Sequence, residues 1–391
     1  MAKDGRGLAA PDWKARRSPV NTGASFALSP QAATERVLGI QRKLHKWASE
    51  DKDRGFSDLH NLVCDPATLL VAWRRVRGSR GSRSAGIDGQ TAYEIETRRG
   101  VGRFLGELRE ELRAGTFRPL ADKERAIPEH GGKLRYLGIP TVRDRVVQAA
   151  LKLVLEPIFA VDFQPCSYGF RPGRRTQDAV AEIQHFTFRS YEWVLEGDIE
   201  ACFDRIEHTA LMERVRERTG DKRVLRLIKA FLMAGVFNQH GDLTRSLTGT
   251  PQGGILSPLL ANIALSALDE HFARAWEAMG SVSRRYYARK RGKATYRLVR
   301  YADDFVICVA GTREHAEALV AEAAQILRPI GLTLSMEKTR ITHIDEGVDF
   351  LGWRIKRDLG RRGRPRDLPV PVQGGADGRQ DEDQGDHPQR H

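Results

Sequence analysis

Two short acidic elements, far apart in the chain, carry the residues best suited to chemistry. Gly197-Asp198-Ile199-Glu200-Ala201-Cys202-Phe203-Asp204 follows the apolar run Trp193-Val194-Leu195, and Arg300-Tyr301-Ala302-Asp303-Asp304-Phe305 lies within the alternating stretch from Leu298 to Val309. Each pattern places a carboxylate at the end of an apolar strand, where desolvation is costly unless a cation stands beside it. Two adjacent carboxylates on a tight turn repel each other, and a divalent metal relieves that repulsion. Alone, an Asp-Asp pair is more often a solvated turn than a metal site. The flanking strand-like hydrophobics and the second strand-end aspartate shift the balance towards a metal. Mg²⁺ fits best, because hard oxygen ligands disfavour zinc.

Such acids need strands and helices to hold them, and the 391-residue chain has the material: 40% hydrophobic and 29% charged residues, which support a sizeable core. Lys plus Arg number 64 against 51 Asp plus Glu, and the net charge of +13 favours a polyanionic partner, nucleic acid or an anionic membrane surface. No apolar run approaches the roughly 20 residues of a spanning helix, and the N-terminus lacks the apolar core of a secretory signal. Cys64, Cys166, Cys202 and Cys308 are widely separated with no CxxC pair. That pattern speaks against a zinc ribbon or disulfide framework and suits a reducing cytoplasm.

Along the chain, residues 1–60 read as a basic N-terminal extension with one helix, its stripe formed by Ala33, Val37, Ile40, Leu44 and Trp47. A second helix starts at the N-cap Asp65, runs through Leu69, Leu70 and Trp73, and enters a cluster of Arg74, Arg75, Arg77, Arg80 and Arg83. That cluster reads equally as a solvated face or as a phosphate contact. Arg125 to Ile127 and Leu134 to Leu137 flank a Gly-containing turn and predict a hairpin, followed by a helix over 144–160. Helices are expected around 208–236, 255–278 and 313–329, and short strands at 331–335 and 348–354. The Leu298–Val309 stretch predicts a hairpin with Asp303 and Asp304 at its turn and Phe305, Ile307 and Val309 on one face. The stretch 284–300 holds eight Lys or Arg and three Tyr without an acid. It reads equally as an exposed loop or as a grip on RNA by phosphate pairing and base stacking. Asp204 and Asp88 are expected to act as caps or hydrogen-bond acceptors. Residues 358–391 are expected to form a disordered polar tail, since Pro369 to His391 lacks Leu, Ile, Met and any aromatic residue.

Tyr301-Ala302-Asp303-Asp304 resembles the YxDD box of reverse transcriptases, and its neighbours resemble the bacterial group II intron-encoded reverse transcriptases and maturases in series. They are Ala85 to Gly89, Gly138-Ile139-Pro140-Thr141-Val142-Arg143-Asp144-Arg145, Ser167 to Arg174, Gly197-Asp198-Ile199 with Phe203-Asp204, Gly249 to Gly254 with Ser257 to Asn262, Glu337-Lys338-Thr339 and Phe350 to Trp353. The resemblance implies an α+β, right-hand polymerase fold with fingers and palm. Fingers and palm together would span 61–357, around a catalytic core of about 108–356. The thumb of full-length relatives is not expected here, and a shifted reading frame or truncated gene would account for the tail.

The resemblance further implies that Asp198 and Asp303 hold two Mg²⁺ ions, with Asp304 assisting and the Ile199 carbonyl as a further ligand. Two such ions activate a primer 3′-hydroxyl and stabilise the departing pyrophosphate. Phe203 would exclude ribonucleotides at the sugar 2′ position, with an ordinary core phenylalanine as the alternative. Gln252 would lie near the templating pair, Gly253 would allow close backbone approach to the nucleotide, and Arg135 with Lys133 would bind its triphosphate. Glu129 departs from the lysine usual there. Lys338 would lie near the active site, with a solvent-facing lysine as the alternative, and Arg171 and Arg174, with Arg80 and Arg83, would touch RNA. The implied function is RNA-directed DNA synthesis during intron retrohoming, with intron RNA, a DNA primer or target and dNTPs as partners, in the bacterial cytoplasm and away from membranes. A splicing maturase without useful polymerase activity, or an inactive remnant, are the competing readings.

Overall fold

The computed structural model describes residues 28–128, 134–238, 242–244, 248–359, 365–366 and 370–371. Lys133 and Glu129, the part of the expected N-terminal extension before residue 28 and most of the expected tail lie outside the described residues.

The first layer is helical. Helix α1 (Pro30–Glu50) is capped by Ser29, whose hydroxyl accepts from the Ala32 amide, and α3 (Pro66–Gly78) is capped by Asp65 in the same way from Ala67. The short α2 (His60–Val63) leads into α3, and α4 (Ala92–Glu94) precedes α5 (Val101–Ala114), which ends on left-handed Gly115. Strands β1 (Asp122–Pro128) and β2 (Leu134–Ile139) form the expected antiparallel hairpin, and Thr141 then caps α6 (Val142–Phe159). Helix α6 is apolar on nearly every side and therefore buried against α1 and α3. Helix α1, set in a separate extension by the sequence reading, sends Ala33, Val37, Leu44 and Ala48 into the same core as α3 and α6.

The second layer is the palm-like sheet. Helix α7 (Thr176–Thr187) leads to β3 (Trp193–Gly197), and α8 (Cys202–Arg205) follows at once. The helical region expected at 208–236 is two helices, α9 (His208–Arg218) and α10 (Lys222–Leu232), because Asp221 caps a new start. Two-residue strands β4 (Val236–Phe237) and β5 (Leu243–Thr244) extend the β1–β2 sheet. Helix α11 (Ser257–Ala278) is followed by α12 (Val282–Lys290), then β6 (Thr295–Tyr301), β7 (Asp304–Ala310), α13 (Arg313–Leu327) and β8 (Arg340–His343). Strands β6, β7, β3 and β8 form one antiparallel sheet in that order. Helices α11 and α13 cover one face, and α7 covers the other together with β9 (Val348–Phe350) and β10 (Trp353–Ile355).

Three further expectations change. The strand at 331–335 is absent; only Leu334 bridges to Ile199, and the sheet is completed by β8 instead. The basic stretch 284–300 is a helix and a strand rather than a loop, since Ser281 caps α12 and Thr295 onward pairs with β7. Within the tail, Asp358–Leu359 pairs with Pro365–Arg366, and Val370–Pro371 adds to β10. The alternation of Pro and Val there favours extended backbone despite the poor apolar content.

The root of the β1–β2 hairpin holds two buried carboxylates, Asp122 and Asp144. Asp144 accepts from Thr141 Oγ1 (2.7 Å) and the Leu120 amide (3.1 Å), while Asp122 Oδ2 and Asp144 Oδ1 have no hydrogen-bond partner among the described residues. Burial, and then the neighbouring Asp144, push Asp122 up to about 7; burial pushes Asp144 up to about 6. The folded state thus holds protons that the unfolded chain releases near pH 4, so stability falls as pH rises from about 4 to about 7 and levels off above. Asp122→Asn is expected to flatten that slope and to gain on the order of 1–2 kcal/mol near pH 8, with little change near pH 4. Thermal melts across this range check it; an unaltered pH profile refutes it.

Candidate active site

Strand β3 ends at Gly197, which pairs with Phe305 of β7. A Cβ on Gly197 would fall 2.1 Å from Phe305 Cζ, so only glycine lets the ring lie across the strand end. Asp198 follows Gly197 in the chain, and Asp304 precedes Phe305. Both line a cleft of about 410 Å³, with Tyr301 and Lys338 beside them. The Asp198 carbonyl accepts from the Ser335 amide (2.8 Å), which docks the turn carrying Lys338 against the strand end. Lys338 Nζ then lies 3.4 and 3.3 Å from the two Asp198 carboxylate oxygens. The Ile199–Leu334 bridge is made by the flanking peptides, Ser335 to Asp198 and Glu200 to Thr333. The Ile199 carbonyl takes no part in that pairing.

Strands β6 and β7 pair as far as Tyr301 and Asp304, leaving Ala302 and Asp303 as a two-residue turn. Ala302 is left-handed (φ 57°), a conformation that a non-glycine residue keeps only when its surroundings impose it. Arg300 supplies that constraint. Its fully buried guanidinium binds Asp269 twice (2.7 and 2.5 Å), Asn262 Oδ1 (3.0 Å), Ser167 Oγ (2.8 Å) and the Ala302 carbonyl itself (2.7 Å). Asn262 in turn donates to the Gly169 carbonyl (2.8 Å), and a Cβ on Gly169 would meet the Ala302 nitrogen at 2.2 Å. Sequence reasoning missed this cluster and grouped Arg300 with an RNA-gripping stretch. The available signal was the acid Asp269 within the apolar run of α11. Asp303, half-buried at the turn, lies within electrostatic reach of Cys202, whose thiol is pushed up to about 12 by burial first and then by Asp303.

The donors around this turn are carboxylate and carbonyl oxygens, the set that suits a hard divalent cation. Among the described residues no three His, Cys, Asp or Glu side chains form a closed metal-holding cluster. Asp198 and Asp304 nevertheless share one open cleft, and Asp198 already faces one cation, the Lys338 ammonium. The residues present therefore fit the group in kind: Asp198 and Asp304 supply hard oxygen donors to one cleft.

A second chain of contacts joins the hairpin to the strand end. Arg135 Nε donates to Gln252 Oε1 (3.3 Å), and Gln252 Nε2 donates to Asp204 Oδ2 (2.8 Å). The loop bearing Gln252 is fixed by hydrogen bonds from the Gly249 amide to the Ile206 carbonyl and from the Thr250 amide to the Phe203 carbonyl. Burial raises the Asp204 pKa, opposed by the Gln252 hydrogen bond and Arg135. Gly253 also has a reason within the fold: a Cβ there would meet the Gly138 carbonyl of β2 at 2.4 Å. Phe203 is half-buried, edge-on to the exposed Phe170 ring at 6.4 Å. Arg171 and Arg174 serve their own loop: Arg171 donates to the Gln164 and Ser167 carbonyls (both 2.8 Å), and Arg174 stacks 5.0 Å over Tyr168. Arg80 and Arg83 stay exposed on a 3₁₀ turn whose Gly81 and Ser84 carbonyls are held by Arg145.

Comparison with known proteins gives the family. Residues 127–355 match the family "Reverse transcriptase (RNA-dependent DNA polymerase)". The chain is 36% identical over 349 residues to protein YkfC of Escherichia coli (strain K12), covering 84% of this chain and 91% of that protein. It is 29% identical to the group II intron-encoded protein LtrA of Lactococcus lactis subsp. cremoris, covering 82% of this chain but only 60% of LtrA. Among solved structures, apo telomerase from Candida tropicalis is similar at a TM-score of 0.45 and 14% identity, over 62% of this chain and 49% of that one. With more than half of its length matched by the family, the chain belongs to the reverse transcriptase (RNA-dependent DNA polymerase) family, among relatives of the group II intron-encoded kind.

Proposed function

We propose that the chain is an RNA-directed DNA polymerase of a group II intron, extending a DNA primer on intron RNA during retrohoming and assisting the splicing of that RNA. The observation that supports this most is the shared cleft beside the end of β3 and the start of β7, lined by Asp198, Asp304 and Lys338. In this reading Asp198, Asp303, Asp304 and the Ile199 carbonyl hold two Mg²⁺ ions. When bound, the ions supply activation of the primer 3′-hydroxyl and neutralise charge on the departing pyrophosphate. The protein's own part is positioning. Lys338 orients the Asp198 carboxylate, and Arg300 fixes the turn that carries Asp303. Arg135, with Lys133, meets the triphosphate of the dNTP, while Gln252, braced by Asp204, holds the loop beside the templating pair. The setting is the bacterial cytoplasm; among the described residues no helix is long and apolar enough to cross a membrane.

The direct test is single-nucleotide extension of a DNA primer on an RNA template. Incorporation that requires Mg²⁺ is expected, and no incorporation under any divalent cation refutes the reading. Splicing assistance separates from polymerisation by substitution: intron RNA binding is expected to survive Asp198→Asn combined with Asp303→Asn.

Phe203 is assigned the sugar gate. Phe203→Val is expected to raise ribonucleotide use relative to dNTP use by roughly tenfold or more, because an added hydroxyl would no longer meet the ring. If the ring only packs, the variant loses stability and its sugar preference stays as it was.

A further inference from the structure

The polymerase reading leaves α12 without a role. None of its residues is buried, and the segment 282–294 carries Arg284, Arg285, Arg289, Lys290, Arg291 and Lys293 with no acid. The helix nevertheless has a defined orientation. Arg285, Ala288 and Arg289 are the less exposed positions, one helical face apart by three and four residues. Arg285 is anchored: its guanidinium lies 4.0 Å over the Trp276 ring and donates to the Gly280 carbonyl. Arg297 of β6 lies 4.5 Å from the same ring, so Trp276 contacts two cations and pins the helix to the body. The other side of α12 presents Arg284, Tyr286, Tyr287, Lys290 and Arg291 to solvent, with Tyr287 60% exposed.

Position separates this face from the catalytic turn. Helix α12 enters β6 at Thr295, the strand end opposite Tyr301, and a seven-residue strand spans roughly 20 Å. A polyanion lying on α12 is therefore not the base pair being copied.

We propose that α12 is a docking helix for the phosphate backbone of folded RNA, outside the polymerase cleft. An uninterrupted run of cations on an anchored helix complements a regular array of phosphates, and exposed tyrosines add hydroxyl donors and stacking faces. An anionic membrane is the poorer match, because the exposed face offers tyrosines and only Val282 in place of an apolar stripe. The inference rests on the polynucleotide-handling reading of the chain but not on its catalytic acids, so the two fail separately.

The test combines Arg284→Ala, Lys290→Ala and Arg291→Ala in the full chain and measures binding to a short RNA hairpin across a salt series. Losing three phosphate contacts is expected to lower the slope of log Kd against log salt by about 2–3, and to weaken binding at about 0.1 M salt on the order of tenfold or more. Replacing Arg284 and Arg291 by lysine and keeping Lys290 is expected to restore most of the affinity. Extension of a short oligonucleotide primer–template should stay unchanged, as should the melting curve. An unchanged salt slope overturns the proposal. So does a parallel fall in primer extension, which would put α12 in the cleft, or a loss confined to anionic phosphatidylserine vesicles, which would make it a membrane contact.

Discussion

Asp303→Asn is expected to abolish Mg²⁺-dependent incorporation of dNTPs on an RNA template while leaving the folded protein intact. Asparagine keeps the shape of the side chain and loses the negative charge, and a hard divalent cation gains little from a neutral amide. The turn itself does not depend on Asp303, because the Ala302 carbonyl is held by Arg300 and the backbone pairing closes at Tyr301 and Asp304. Since the residue is only half-buried, the change in stability should remain within roughly 0.5 kcal/mol. The chemical step should fall by on the order of a thousandfold or more, corresponding to about 4 kcal/mol of lost transition-state stabilisation. Single-turnover extension measures the rate, and a thermal melt confirms the fold. Asp198→Asn should reach the same floor, as should the parent protein in excess chelator. Activity within tenfold of the parent would show that Asp303 is not part of the site.

How much of this was legible in the sequence follows from how local each cause is. The hairpin at 122–139, the strand ending at Gly197 and the hairpin bearing the two aspartates each announce themselves in a few consecutive residues, and all three form. The turn of the last is Ala302–Asp303, however, and Asp304, expected in the turn, opens β7 paired with Tyr301. The second buried face of β7 did not. Phe305, Ile307 and Val309 were expected on one covered face, but Val306, Cys308 and Ala310 are equally buried because α7 lies over them. Helix α12 was hidden by its charges, since its anchor is the Trp276 ring rather than an apolar stripe of its own. Gly169, Gly197 and Gly253 look like ordinary flexible positions until the opposing atom is known, and each of those atoms comes from a distant segment. Arg300 is the clearest case: an arginine amid basic neighbours reads as surface, and its burial depends on Asp269 and Asn262 in α11 and Ser167 before α7.

That same cluster supports the second large expected effect. The Arg300–Asp269 pair is fully buried, with no exposure of either side chain. Its geometry is bidentate, and the remaining Arg300 donors are taken up by Asn262, Ser167 and the Ala302 carbonyl. Asp269→Ala strands a buried cation and is expected to cost about 3–5 kcal/mol, read as a lower denaturation midpoint. A loss of activity in that variant alone would not separate folding from positioning. The double variant Arg300→Met with Asp269→Leu does, because removing both charges leaves no stranded cation and should recover part of the stability. The remainder is lost at Asn262 Oδ1 and Ser167 Oγ, which no longer have this donor. It cannot recover the donor to Ala302, so the left-handed turn loses its internal brace and Asp303 loses its fixed place. Its expected signature is a kcat lowered by roughly tenfold to a hundredfold with KM for the dNTP little changed, since a small misplacement acts on the chemical step more than on nucleotide binding. Near-parent kcat in a stably folded double variant would mean that the turn holds its shape unaided, and that the buried arginine contributes cohesion without positioning the carboxylates.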